Sequence, residues 1–329
     1  MLNKWLVNSA VMAIAICSAP AFANLLPEEW QGSDSGVLSI SGEGQYFMQS
    51  YNLLDVNEGV VDNFQDFFPG NVAEQYPLFN HQTNDSWGYR ANIGYLFPSH
   101  EWDIRGTYTQ ILDSSSTQSF SIAAADFSGS VDQKNIYDFQ AADITVGFFF
   151  PFADWFDLRV GAGIAFADIK QKSTNTAVAG SEVIKSTFEN KYLGVGPKVA
   201  LEAAFAISQN LSVVGDLGLF GLWGPSKATT SLLEASPVGL DNEFPNVEDN
   251  SQFSPGVDGK LALHYAHLMT DNSRWNIELG YRGAYYSDAL QNEADGFDVL
   301  RNDISHSVDF SNTDYYNSGP YLSIGFEFM

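Results

Sequence analysis

The chain of 329 residues has one cysteine, 15 basic side chains against 40 acidic ones, and only 17% charged residues in all. Each shortage removes a class of protein. The lone Cys17 cannot build a disulfide framework or a cysteine-based zinc site. The formal charge of −25 and the pI near 4.2 exclude nucleic acid as a partner, because binding phosphates needs clustered Lys and Arg. Past the N-terminus no stretch approaches 18 uninterrupted apolar residues, so a helical membrane span is excluded. Five histidines are scattered, at 81, 100, 264, 267 and 306. No nucleophile elbow, zincin or phosphate-loop pattern occurs, and Gly161-Ala162-Gly163 lacks the third glycine of a dinucleotide fingerprint. The acids around Glu243, Glu248 and Asp249 match no EF-hand spacing. No enzymatic activity, cofactor or metal is therefore expected.

What the chain does have is 45% apolar residues, 14% aromatics and 28 glycines, too apolar a mix for disorder despite the charge. Residues 1–23 read as a secretory signal: Lys4, an apolar stretch from Trp5 to Ile16, Pro20, then Ala21-Phe22-Ala23. Ile16 stands before Cys17 where lipoprotein attachment would need a small residue. Cleavage after Ala23 leaves residues 24–329, one unit without cysteine and with a charge of −26.

That unit alternates apolar and polar residues with a period of two, the signature of strands with two unlike faces. Leu38, Ile40 and Tyr46 alternate with Ser39, Ser41 and Gln45; Trp87, Ile93 and Phe97 with Arg90, Asn92 and Gly94. Leu322, Ile324, Phe326 and Phe328 close the chain in the same way. Ten such segments of about ten residues match the length a tilted strand needs to cross a bilayer. The connections alternate in size. Short ones fall at 98–101, 151–154, 206–210 and 268–274, long ones at 50–86, 113–135, 170–191, 224–256 and 287–314. Short periplasmic turns and long extracellular loops belong to a transmembrane barrel. The expected fold is an all-β, closed antiparallel barrel of about 10 strands, with 8–12 allowed because the 50–86 loop has room for another hairpin.

The aromatics support this. Trp102, Trp155 and Trp275 open strands after short turns, and Phe97, Phe150 and Phe205 close the strands before them. Such a row at one end of many strands forms a membrane-interface girdle. Tyr46, Trp87, Tyr108, Trp223 and Tyr285 are candidates for the opposite girdle.

Parity sends the charges to the other face. Arg90, Arg105, Arg159, Lys198, Lys260 and Arg282 are expected to line the lumen, with Glu43, Asp103, Asp143, Asp157, Glu202, Asp216, Asp258, Glu278 and Glu327. Two readings follow: a water-filled pore with charged walls, or an interior filled by ion-paired side chains. Frequent inward glycines, such as Gly94, Gly161, Gly194 and Gly218, favour a narrow pore. Nine inward acids against six bases give it a weak preference for cations. Four of the five long segments hold 21 acids and three bases. Segment 170–191 is the exception, with Lys170, Lys172, Lys185 and Lys191 against Glu182 and Glu189.

The signal peptide, the Gly-rich alternating strands, the two Phe-Pro-x3-Trp turns at 97–102 and 150–155, the acidic Asn-rich loops and the ending GFEFM are similar to the Legionella-type family of pore-forming major outer membrane proteins. Outer-membrane barrels commonly end on a terminal aromatic; here Phe328 is penultimate and Met329 is last, a departure from that pattern. The resemblance implies an outer-membrane porin for small hydrophilic solutes, integral in outer-membrane lipid of a Gram-negative cell. It implies surface loops that contact host-surface or serum proteins, and a homo-oligomer which, without cysteine, is not disulfide-linked. The alternative is a structural or adhesive barrel with a blocked lumen, acting through its acidic loops.

Overall fold

The computed structural model describes residues 30, 35–51, 84–99, 101–124, 127–153, 155–179, 182–235, 242–293, 299–300, 303–304 and 310–329. The signal peptide expected at 1–23 and most of the 50–86 loop lie outside the described residues. The strands are β1 Val37–Tyr51, β2 Asn84–Leu96, β3 Trp102–Ala124, β4 Phe127–Ala153, β5 Phe156–Ala179 and β6 Glu182–Ala206. β7 is Leu211–Ala235, β8 Asn242–Thr270 and β9 Ser273–Glu293. β10 Val299–Leu300 and β11 Asp303–Ile304 form a small hairpin, and β12 Phe310–Phe328 ends the chain.

Ten strands close into one barrel in the order β1-β12-β9-β8-β7-β6-β5-β4-β3-β2. Every neighbour is antiparallel, and the seam joins β1 to β12 from Leu38↔Phe328 to Tyr51↔Tyr315. In the lipid-facing part closure pairs every strand on both sides, which lipid demands because it offers no hydrogen-bond partner; beyond it, β3 past Ile111 pairs only with β4, and β8 before Gly256 only with β7. This is the all-β closed architecture that the alternation predicts.

The outer face carries a continuous apolar band. Ile144, Ile164, Leu219, Leu261 and Leu279 are all exposed. Large apolar surface is abnormal in water and ordinary against acyl chains. At the short-turn end Trp102, Trp155, Phe97, Phe150 and Phe205 face out, and Trp102 meets Phe148 with ring centroids 4.7 Å apart. Trp275 is half-buried against Tyr265, at 5.7 Å. At the other end Trp87 packs on Tyr46 at 5.3 Å and Trp223 on Phe253 at 4.3 Å.

Strand length departs from expectation. The strands run 13 to 29 residues, not about ten. Segments 113–135, 170–191 and 224–256, expected as loops, are mostly paired strand: β3 and β4 stay paired from Trp102↔Phe148 to Ala124↔Phe127, with one register shift between Ile111 and Ser114. The physical reason is that these ends stand above the lipid. There Ser115, Thr117 and Ser119 are exposed, and water removes the need for an apolar outer face. The period-two signal disappears while the ladder continues.

Candidate lumen and its charge belt

The inward residues fall into three tiers. The middle tier is ionic. Arg159, on β5, is fully buried and reaches Asp103 on β3 at 2.8 Å and Glu202 on β6 at 2.6 Å. Arg105 binds the same two acids, at 2.5 Å to Asp103 and closely to Glu202. Lys198 on β6 bridges Asp143 on β4 at 3.2 Å and Asp258 on β8 at 2.7 Å. Lys260 meets Glu278 at 2.8 Å and Asp216 at 3.8 Å, and Tyr321 also donates to Glu278. Arg282 holds Glu43 at 3.2 Å, and Arg90 stands 3.9 Å from Asp143. Pairs that skip over an intervening strand can form only inside the barrel.

The inward glycines seat these groups. A Cβ on Gly147 would collide with the Arg159 guanidinium. One on Gly218 would lie 2.6 Å from Asp258 Oδ1 and 2.8 Å from Lys198 Cε. The room expected to widen a pore is thus taken by ion pairs at these positions. Space remains in a chamber of about 80 Å³ lined by the belt, and in a second of about 40 Å³ above it. The first has room for several waters, since one water needs only ~10–15 Å³ on the same measure. Arg105 Nη2, Asp216 Oδ1 and Glu278 Oε2 line this chamber without a protein hydrogen-bond partner.

Above the belt, toward the long-loop end, lies an aromatic tier. Phe139 on β4 meets Tyr286 on β9 at 5.7 Å and stacks on Tyr315 of β12 at 5.3 Å. Phe220 of β7 joins Tyr286 at 4.9 Å. β4 and β9 are five places apart in a ring of ten, so these rings touch across the full diameter. Phe47, Ile111, Tyr192, Leu222 and Leu290 pack around them. An irregularity at Asp288, with φ of 53°, lets both Tyr286 and Ala289 face inward.

Below the belt, the periplasmic end is also filled. Trp30, ahead of β1, is fully buried, and its indole N–H donates to the Asp271 carbonyl at 2.5 Å. Arg274 sits over the Trp30 ring at 5.9 Å and pairs with Glu327 at 2.6 Å. Phe149, Val214, Ala262 and Tyr321 share this cluster. Asp157 is buried at the start of β5.

The structure brings the middle-tier charges together, seven acids and six bases, while Asp157 and Glu327 lie at the periplasmic end. Sequence reasoning missed the aromatic tier and Trp30, because aromatics were assigned to the lipid face. The signal was parity: Phe139 shares it with Asp143, Phe220 with Asp216, and Tyr286 with Arg282. Ser212 Oγ and His264 Nδ1 meet at 3.3 Å, but both are buried within the barrel.

Three comparisons bear on identity. No curated protein matches the sequence. Among solved structures, the outer membrane protease OmpT from Escherichia coli is 12% identical, with 89% of this chain and 96% of that chain covered and a TM-score of 0.36. Ail, the attachment invasion locus protein of Yersinia pestis, solved with the heparin analogue sucrose octasulfate, is 12% identical over 89% of this chain and 99% of its own, TM-score 0.23. A Pseudomonas aeruginosa FadL homologue is 8% identical over 95% and 99%, TM-score 0.29. Likenesses this distant carry no functional argument. The family described as Legionella pneumophila major outer membrane protein precursor matches residues 40–328, nearly the whole barrel. The chain belongs to the Legionella major outer membrane protein family and is an integral outer-membrane β-barrel of Gram-negative bacteria.

Proposed function

We propose that the chain is a narrow outer-membrane channel for ions and small hydrophilic solutes, closed in this conformation by the aromatic tier on one side of its charge belt and the Trp30 cluster on the other, and weakly cation-preferring. The observation that carries this reading is the charge-lined chamber in the middle of the barrel, large enough for several waters. A barrel that served only as an anchor could be filled by apolar side chains at equal or better stability, since buried ion pairs often fail to repay their desolvation. A ring of charges around water is what a permeating ion needs. Seven acids to six bases, below a mouth rich in acids, favours cations.

The protein acts without catalysis in this reading. The Ser212–His264 contact is sealed from substrate, and Glu278, across from His264, is engaged by Lys260 and Tyr321. A second reading rests on the contact of Phe139 with Tyr286 across the barrel: a permanently closed barrel that works through its extracellular wall, toward host-surface or serum proteins. Planar-bilayer recording of the folded protein separates the two. Small, stable conductance steps with a cation-selective reversal potential support the channel. Silence from a protein shown to be folded supports the closed barrel, and an anion-selective potential contradicts the preference.

A further inference from the structure

Apart from Lys4 and Arg301, which lie outside the described residues, the bases divide sharply. Seven face the lumen, and six lysines, 134, 170, 172, 185, 191 and 227, lie on the outer wall of four consecutive strands, β4 to β7. Three of them form a row. Lys170 pairs directly across from Lys191, and Lys191 directly across from Lys227. Like charges directly opposite on one sheet face repel. The chain has 40 acids with which to avoid such a row.

The row runs parallel to a second one. Phe166, Val195, Trp223 and Phe253 are mutual cross-strand partners on the same outward face, and all are exposed. Lys170, Lys191 and Lys227 each lie four residues further along their strands, toward the long-loop end. Four residues span about 13 Å along a strand, or roughly 10 Å of height at a tilt near 40°. The headgroup layer is about 5–8 Å deep on each side of the hydrocarbon. The lysines therefore start just above the last apolar row, where a flexible stem lets the ammonium settle among headgroups.

Neighbouring acids neutralise only part of the patch. Asp168 and Asp138 engage Lys170, at 2.7 and 3.6 Å, and Glu189 engages Lys172 at 3.3 Å. Asp132 is exposed on the same wall, and Asp249 lies opposite Lys227. Lys134, Lys185, Lys191 and Lys227 make no ion pair with any described residue.

We propose that this lysine row is a binding site for the phosphate groups of an outer-leaflet glycolipid, the phosphorylated glucosamine headgroup of lipid A. Charge complementarity and continuity with the lipid-facing wall select this occupant. The acyl chains lie along Phe166, Val195 and Trp223, and the phosphates meet Lys191 and Lys227, replacing the mutual repulsion with attraction. The site does not depend on whether the lumen conducts.

The test uses the mature chain folded in a nonionic detergent, with native mass spectrometry reading retained lipid in the presence of a chelator. Diphosphorylated lipid A is compared with its dephosphorylated form and with free inorganic phosphate as competitor. The folded protein is expected to retain the diphosphorylated form at least tenfold better than the K170Q/K191Q/K227Q variant. K172Q, whose lysine lies one outward step beyond the row and farther from the lipid, opposite Glu189, should bind as wild type, and millimolar inorganic phosphate should displace nothing. Equal retention by the triple variant overturns the proposal, as does displacement by inorganic phosphate, which would mark a free-anion site. Binding of a sulfated polysaccharide in place of lipid A would also overturn it. Should the triple variant not fold, K191Q alone must lose several-fold retention.

Discussion

Arg159 carries the belt's highest stake. It is fully buried, and its removal leaves Asp103 and Glu202 facing each other with only Arg105 between them. Breaking a buried pair by deleting one partner costs about 3–5 kcal/mol. Arg159→Met should lower unfolding stability by that order, read from urea titration of the folded barrel in lipid; an unchanged midpoint would show that water already screens the pair. Gly147→Ala belongs with it, because its new methyl would collide with the same guanidinium. The inward charges were legible in the sequence because each departs from the apolar positions of its own strand by one residue. The inward aromatics were not. A Phe at an inward position, such as Phe139 or Phe220, contributes to hydropathy as any lipid-facing ring does, and only its parity gives it away.

The strands were legible only where lipid touches them. Between the girdles one face must be apolar, so the alternation is strict. At Leu261, midway along the lipid-facing part of β8 and fully outward, a charge would meet acyl chains. Leu261→Arg should cost about 2–4 kcal/mol in the same urea titration, while Thr117→Arg on the wall above the membrane should cost nothing measurable. Equal losses at both sites would put the lipid boundary elsewhere. Beyond the girdle the ladder continues with polar residues on its outer face, as from Ser114↔Tyr137 to Ser121↔Ser130, so segments with no periodicity are nonetheless strand. The lysine row depends on that continuation. Lys170, Lys191 and Lys227 are loop residues if the strands stop at the membrane, and become one outward row only when β5, β6 and β7 extend past it.

The whole molecule combines two demands that conflict in a small barrel. The even strand count and the antiparallel seam of β1 with β12 pair every barrel strand on both sides, and this much follows from the ten alternating segments. How the lumen is filled does not follow, because contacts such as Phe139–Tyr286 join residues 147 positions apart in sequence and diametrically opposed in space. The net charge of −25 is likewise not spread evenly. The lumen belt is almost balanced, 21 of the 40 acids fall in four long segments of the sequence, and lysines gather on one sector of the outer wall.

The central claim is that a hydrated ionic chamber is closed on the outer side by rings meeting across the barrel. It is tested most directly by single-channel conductance of the folded wild type beside the Phe139→Ala/Tyr286→Ala double variant. Truncating two buried rings costs about 3–5 kcal/mol each at the upper end, so folding of the variant is checked first by heat-modifiable mobility. The account predicts rare, small openings in the wild type and a several-fold larger, longer-lived conductance in the variant. A folded variant as silent as a silent wild type would contradict it, and would leave a solid barrel whose work is done on its outer surface.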